Sequence, residues 1–266
     1  GAAASFVGLD LSADATARTT SGLSVIRSLV IDRMGSWGLR IATAGNSVEN
    51  CYVGPTAAGA APATKNNGGI LITGAGATGN TIGGATADKR NLISGNAAAN
   101  SRTDERAAGK TSGGNYVGTN AAGTAYLVSS PGDGVQIQGG STNNVIGGVA
   151  AAPGSAPGNV ISGNGYGINV KDAGTNGTLI QGNLVGPQAS GTAGIGNGSV
   201  AHVMVQGGSG ATTIGGAAAS ARNVISGNGG YNSNYGVEIN GSSDNLVYGN
   251  YLGVDATGAA QLKNGR

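Results

Sequence analysis

A right-handed parallel β-helix of about eight turns, all-β with three parallel sheets, is the fold class this chain predicts. Three observations carry the prediction. A short motif returns as NLISGN at Asn91, NVISGN at Asn159 and NVISGN at Asn223, at separations of 68 and 64 residues. Two further series interleave with it: NTIGG at Asn80, NVIGG at Asn144 and TTIGG at Thr212, then NYVG at Asn115, NLVG at Asn183 and NYLG at Asn250. An apolar alternation (GLRIAT, GILITG, GVQIQG, GINVKD, HVMVQG, GVEING) spaces Ile137, Val170, Val205 and Ile239 by 33, 35 and 34 residues, so the true period is half the first one. Each period holds three short strands whose apolar residues come in pairs. One copy cannot build a core alone, so copies must stack.

Other architectures fail on the same pattern. A doubly wound α/β fold needs amphipathic crossover helices, and no helical period stands between the strands. A propeller blade needs four antiparallel strands in about 40 to 45 residues, which overshoots the period.

Along the chain, Val7, Leu9 and Leu11 alternate as a first strand. Leu23 to Gly38 supplies two strands with Ile26 and Ile31 facing inward, and Leu29 takes the place that is Asn183 later. Trp37, the single tryptophan, reads as packing at a corner. Regular turns then run over 39–69, 70–100, 101–134, 135–167, 168–201 and 202–236, with a last turn to the C-terminus. Residues 1–266 read as one domain. Solenoid ends are open sheet edges that natural proteins cover, so the expectation is a fragment of a longer chain, or ends that meet partners.

The motifs N-x-I-x-G-N, G-[IV]-x-[IV] and N-x-[IV]-G-x-x-x-x-G resemble the right-handed β-helix repeats of the pectate-lyase-like superfamily, and especially those of long bacterial surface proteins. The resemblance spans nearly the whole chain. It implies the fold; its members include lyases, hydrolases, epimerases, phage tailspikes and inert adhesin stalks, so it does not imply one activity.

Composition fits a solenoid: 54 of 266 residues are glycine, 4% aromatic and 10% charged. With 14 basic and 12 acidic side chains the net charge is +2, which gives no electrostatic case for nucleic acid. No apolar run is long enough to span a membrane. The single cysteine, Cys51, leaves no internal disulfide framework.

The asparagines have a structural role. Asn46, Asn80, Asn144 and Asn245, with Thr178 and Thr212, fall at one corner; Asn91, Asn115, Asn159, Asn183, Asn223 and Asn250 fall at another. Each stands two residues before an apolar position and so points inward. An inward amide persists only when hydrogen-bonded, and stacked amides bond one another. Cys51 falls in the second series and reads as a buried, inert thiol.

Several apparent motifs lack their context. Gly74, Gly76 and Gly79 satisfy G-x-G-x-x-G, but NTIGGAT follows where the dinucleotide fingerprint requires a helix. Gly109-Lys110-Thr111 resembles a P-loop end, but Asp104 stands where the first glycine is needed. Sequons at Asn176, Asn197 and Asn240 are those expected of this composition. His202 is the only histidine, no G-x-S-x-G accompanies it, and no zinc spacing occurs; Asp255 has no acidic counterparts in its sister loops at Thr56, Asn120 and Gln188. No metal or cofactor is expected.

The turn NSRTDERAAGKTSGG, Asn100 to Gly114, departs from the pattern. Ser101, Thr103 and Ser112 replace inward apolar residues, and Arg102, Asp104, Glu105, Arg106 and Lys110 crowd together. The reading preferred here is a turn looped out into solvent. The competing reading keeps it in register, stacking Arg102 with Leu71, Gln136, Asn169, Met204 and Glu238, and Asp104 with Thr73, Gln138 and Lys171. Local inconsistency of this kind marks functional sites.

Three functional readings stay open. The first is a rigid structural or adhesive segment of a secreted or cell-surface protein. The second is a carbohydrate-active lyase, epimerase or hydrolase working on a sheet face, with Asp104, Glu105, Asp172, Lys171 and Arg102 as catalytic candidates; Asp172 or Glu105 would be the base and Arg102 or Lys171 the cation. In this reading Asp104, Glu105 and Asp172 are the only acids on the central part of that face. The third is non-catalytic polysaccharide binding through Gln136, Gln138, Asn169 and Gln206. The partners expected are a polysaccharide and neighbouring turns of a longer chain.

Overall fold

A computed structural model describes residues 6–12, 23–127, 132–198, 201–228 and 235–265. Its strands form three eight-stranded sheets in which every neighbouring pair is parallel and comes from consecutive coils. Eight rungs define about seven turns, one fewer than expected. The stack is about 34 Å long at 4.8 Å per turn. Among the described residues helix is confined to two 3₁₀ turns, Ala87–Lys89 and Ala219–Ala221.

Sheet A runs from Leu9–Leu11 through Trp37–Ile41, Gly68–Thr73, Ser101–Asp104, Val135–Ile137, Ile168–Lys171 and Ala201–Gln206 to Tyr235–Asn240. Sheet B runs from Val25–Arg27 to Leu246–Tyr248, and sheet C from Val30–Ile31 to Tyr251–Leu252. One residue of every two faces the lumen, and there Leu39, Ile41, Ile70, Ile72, Val135, Ile137, Ile168 and Val170 are fully buried. The small-residue loops after sheet C also have a place in the packing. Antiparallel bridges at Thr119–Tyr126, Pro187–Gly194 and Val254–Gln261 fold them back, and Ala189 and Ala256 then pack on Val160, Leu184 and Val224. Part of sheet C is thus covered on its outside; on the outer side of sheet A, Arg40, Leu71, Arg102 and Gln136 are partly exposed, whereas Asn169, His202 and Met204 further along are buried.

The asparagine columns hold the corners. From Asn91 to Asn250 each Nδ2 donates to the Oδ1 of the next coil's asparagine: Asn91 to Asn115 at 2.9 Å, Asn115 to Asn159 at 3.1 Å, Asn159 to Asn183, Asn183 to Asn223 and Asn223 to Asn250 at 2.9 Å. The same amides donate to the preceding coil's carbonyls, as Asn115 does to Ile82 at 2.8 Å. Every link thus closes one side-chain and one backbone bond inside the lumen, where unpaired amides are costly. Cys51 occupies the column as expected; it is buried, its backbone N–H donates to Asn91 Oδ1 at 2.9 Å, and burial pushes its thiol pKa up.

A further column did not emerge from the sequence. Asn66, Asn96, Asn100 and Asn164 are linked Nδ2 to Oδ1 at 3.0, 2.7 and 2.8 Å, and Asn164 continues to Asn197 at 3.1 Å. Asn96 and Asn164 are the closing asparagines of the ISGN motifs, which the alternation-based alignment left unassigned. Asn197 is buried in this column, so its sequon presents no surface acceptor.

The looped-out reading of the third regular turn is wrong. Ser101, Arg102, Thr103 and Asp104 pair with Ile70, Leu71, Ile72 and Thr73 below, and the first three with Val135, Gln136 and Ile137 above. Thr111 and Ser112 pair with Thr81 and Ile82 on one side and Val145 and Ile146 on the other. The backbone ladder and the Asn91–Asn115–Asn159 links are complete through this coil, and they hold register where the side chains do not. Lys110 was read as one of a surface charge cluster. It stands instead in the first asparagine column, its backbone N–H donating to Asn144 Oδ1 at 3.0 Å, with its side chain fully buried.

Candidate functional site

Because the third coil keeps register, every residue singled out on sheet A stands on or beside one outer face, and most of them fall in two hydrogen-bonded groups. In the first, Arg102 Nη2 donates to Asp104 Oδ2, and Gln138 Nε2 donates to the same oxygen at 3.2 Å. Burial works against ionisation of Asp104, but Arg102, the Glu105 backbone N–H and Gln138 outweigh it and hold the carboxyl below its ordinary pKa. In the second, Gln136 Nε2 and Asn169 Nδ2 donate to Asp133 Oδ2 at 2.7 and 3.0 Å, and Gln206 Nε2 donates to Asn169 Oδ1 at 3.0 Å.

Asp133 is the residue the sequence reading missed. Burial pushes its carboxyl above the ordinary value, against the opposing pull of Asn169, Lys171 and Gln136. It corrects the expectation that Asp104, Glu105 and Asp172 are the only acids on the centre of this face. Its signal was positional: two residues before Val135, it shares a column with Trp37, Gly68, Ala99 and Tyr166, as the strand register dictates.

Glu105 and Asp172 take a different role from the one expected. Both have positive φ, 51° and 74°, at the corner where sister coils have Gly74, Gly139, Gly207 and Gly241. Asp172 Oδ2 accepts the Gly139 N–H at 3.2 Å, and Glu105 Oε2 accepts from Thr73 Oγ1 at 2.8 Å. Each carboxylate is engaged with the corner of a neighbouring coil. Lys171 lies two rungs from Asp104, about 10 Å, with Gln138 between them.

An open trough of about 250 Å³ lies at the edge of this face, lined by Trp37, Ala98, Ala99, Arg102, Gly132, Asp133 and Gln136. Trp37 and Asp133 stand three rungs apart in one column, with Gly68 and Ala99 between them. Trp37 was read as corner packing, and it does pack, since a Cβ on Gly68 would run into its ring. The residue is nevertheless partly exposed and lines the trough. His202 plays no part: it is fully buried, burial drives its pKa to about 3, and neither ring nitrogen has a partner. Asp255 accepts from its own loop, from Thr257 Oγ1 at 2.7 Å and the Ala259 and Ala260 N–H groups at 3.2 Å. Among the described residues no His, Cys, Asp or Glu cluster has metal-binding geometry, and no helix is long and apolar enough to cross a membrane.

No protein-family model, curated protein or solved structure matches this chain. The parallel β-helix therefore stands on its own geometry, and the resemblance to the pectate-lyase-like superfamily rests on the repeat motifs alone.

Proposed function

We propose that the chain is a rigid β-helix segment of a secreted or cell-surface protein, and that it binds a polysaccharide along the outer face of sheet A. The observation that carries this reading is the trough. Its lining combines Trp37 with two donors, Arg102 and Gln136, one acceptor, Asp133, and small alanine and glycine residues. A sugar ring presents C–H groups for an aromatic surface and hydroxyls that both donate and accept, which is the chemistry these groups complement. Along the solenoid axis the partly exposed amides of Gln136 and Gln206 continue the polar surface, held in place by the buried Asn169 and Asp133 between them. A rigid lattice of backbone ladders and buried amides suits such a track, since a preorganised surface loses little entropy on binding.

The hydrolase alternative calls for two carboxylates flanking the bond to be cut. Among the described residues that line the trough Asp133 is the one carboxylate, and Asp104, one rung away, is engaged by Arg102 and Gln138. Binding without turnover is therefore the preferred reading. Titration of neutral and acidic oligosaccharides, followed calorimetrically, tests it. Binding that Trp37→Ala and Asp133→Asn weaken, and that the Asp104→Ala, Asp172→Ala pair leaves nearly intact, supports it. Absence of binding to every glycan, or binding indifferent to Trp37→Ala, contradicts it, and release of shortened or unsaturated sugars returns the enzyme reading.

A further inference from the structure

The lumen changes character at one level. The apolar core is divided into two clusters, one ending at Ile93 and Ala107 and the other starting at Val117 and Val135. Between them the third coil points Ser101, Thr103, Lys110 and Ser112 inward, all buried. Lys110 Nζ makes one hydrogen bond, donating to Ser101 Oγ at 3.3 Å.

The donors at this level outnumber the acceptors. Ser101 Oγ accepts from Lys110 and Ser112 Oγ accepts from Asn115 Nδ2 at 3.4 Å, so both hydroxyl hydrogens have no acceptor of their own. Thr103 Oγ1 has no partner. A protonated Lys110 adds two more N–H donors. A buried ammonium needs a counter-charge, yet the acids of this coil, Asp104, Glu105 and Asp133, belong to its outer surface and corner, where they are engaged by Arg102, by Thr73, and by Gln136 with Asn169. Arg102 and Arg106 also lie on the outside. The alternative is a neutral amine accepting from the Ser101 hydroxyl across the same 3.3 Å contact, which still leaves the Thr103 hydroxyl without a partner. There is also less side chain here: each serine has two non-hydrogen atoms fewer than the isoleucine it stands beside, and threonine one fewer, whereas lysine exceeds asparagine by only one.

We propose that this layer of the lumen is a binding site for one small monovalent anion of the halide type, held by the Lys110 ammonium and by the hydroxyls of Ser101, Thr103 and Ser112. An acceptor satisfies this layer best, since the hydroxyls of Ser101, Thr103 and Ser112 can all turn their hydrogens to it beside the free N–H groups of a protonated Lys110, and a single negative charge balances the one lysine. Binding takes up a proton at Lys110, whose burial otherwise pushes its pKa down to about 7, so occupancy falls as pH rises. Arg102, Asp104, Glu105, Arg106 and Asp133 are the other charged groups of the coil. All of them stay outside the lumen.

Bromide is the probe. Protein purified and crystallised in sodium bromide at pH 6 should show an anomalous peak within hydrogen-bonding distance of Lys110 Nζ and Thr103 Oγ1. The peak should weaken at pH 9 and vanish in Lys110→Met. Thr103→Val, which keeps shape and the lysine, should lower occupancy and serves as the second variant if Lys110→Met does not fold. In solution, bromide and chloride should raise the melting temperature of the wild type more than that of Thr103→Val, and sulfate, doubly charged and larger, should not separate the two. A lumen with no anomalous peak, or one holding only water at this level, overturns the proposal.

Discussion

The third coil and the fifth carry the same backbone and opposite interiors. In the fifth, Ile168, Val170 and Ile180 fill the lumen and Thr178 takes the column position. In the third, the same positions are Ser101, Thr103, Ser112 and Lys110, and yet the strands pair with their neighbours residue for residue. Apolar burial is therefore not what sets register in this solenoid at each level. The coil is held by the parallel ladders above and below it and by Asn115, whose amide bonds Asn159 and Ile82 as Asn183 bonds Asn223 and Ile146. A stack of quasi-identical units tolerates one poor layer, because each unit is stabilised by its two neighbours.

The sharpest way to separate the two coils is to remove the buried charge. In halide-free buffer at pH 7, Lys110→Met should stabilise the protein by about 2 to 4 kcal/mol, because a buried ionisable group is replaced by an apolar one of similar length. The folded-state pKa of about 7 lies below the unfolded value, which is about 10.4. The unfolded chain therefore binds the proton more readily across that window, and wild-type stability should climb as pH rises from 7 to 10 and stay at its low plateau below 7. Urea melts from pH 6 to 10 read this directly. A wild-type curve as flat as that of Lys110→Met would show that Lys110 is solvated and the third coil open.

The next effect should be equal in the two coils. Asn115→Ala and Asn183→Ala should each cost about 1 to 3 kcal/mol, since each removal leaves buried donors and acceptors unpaired. A third-coil variant that costs nothing while its counterpart costs the full amount would mean that the column is broken at Asn115. On the outer face the difference lies the other way. Trp37→Ala, which strips the aromatic part of the trough that the third coil's Arg102 and Asp133 also line, should reduce glycan affinity several-fold with stability nearly unchanged. A Tyr166→Ala change, in the same column four rungs away, should do less. The smallest expected effect is chemical. A cysteine placed by Asn115→Cys in a Cys51→Ser background should label with thiol reagents as slowly as native Cys51, whose thiol is buried.

Much of the architecture was legible because it is periodic. The 33 to 35 residue spacing of Ile137, Val170, Val205 and Ile239 reports a backbone repeat, and the asparagines two residues before Ile82, Ile93 and Ile161 report the corners. The third coil misled because its side chains, read singly, favour water: Ser101, Thr103 and five charges say exposed, and only the strand pairing says otherwise. The signal for Lys110 was present, since Lys-Thr-Ser-Gly-Gly at 110–114 aligns with Asn-Thr-Ile-Gly-Gly at 80–84, but a lysine in a lumen contradicts the ordinary cost of burial. Asp133 and Trp37 were not recognisable as one site. They are 96 positions apart, and only stacking by whole coils brings them to the same trough.

The measurement that most directly tests whether the third coil is a true rung is amide hydrogen exchange of the Ser101–Asp104 strand against the Ile168–Lys171 strand. The ladder holds both, with Ser101 N–H bonded to Gly134 O at 3.0 Å and Gln138 N–H to Thr103 O at 2.9 Å. Protection of the two strands should agree to within about tenfold, the equivalent of roughly 1.4 kcal/mol. Exchange of Ser101–Asp104 at rates near those of an unfolded peptide, with Ile168–Lys171 still protected, would contradict it: the coil would then lie looped out, and the lumen site and the trough would go with it.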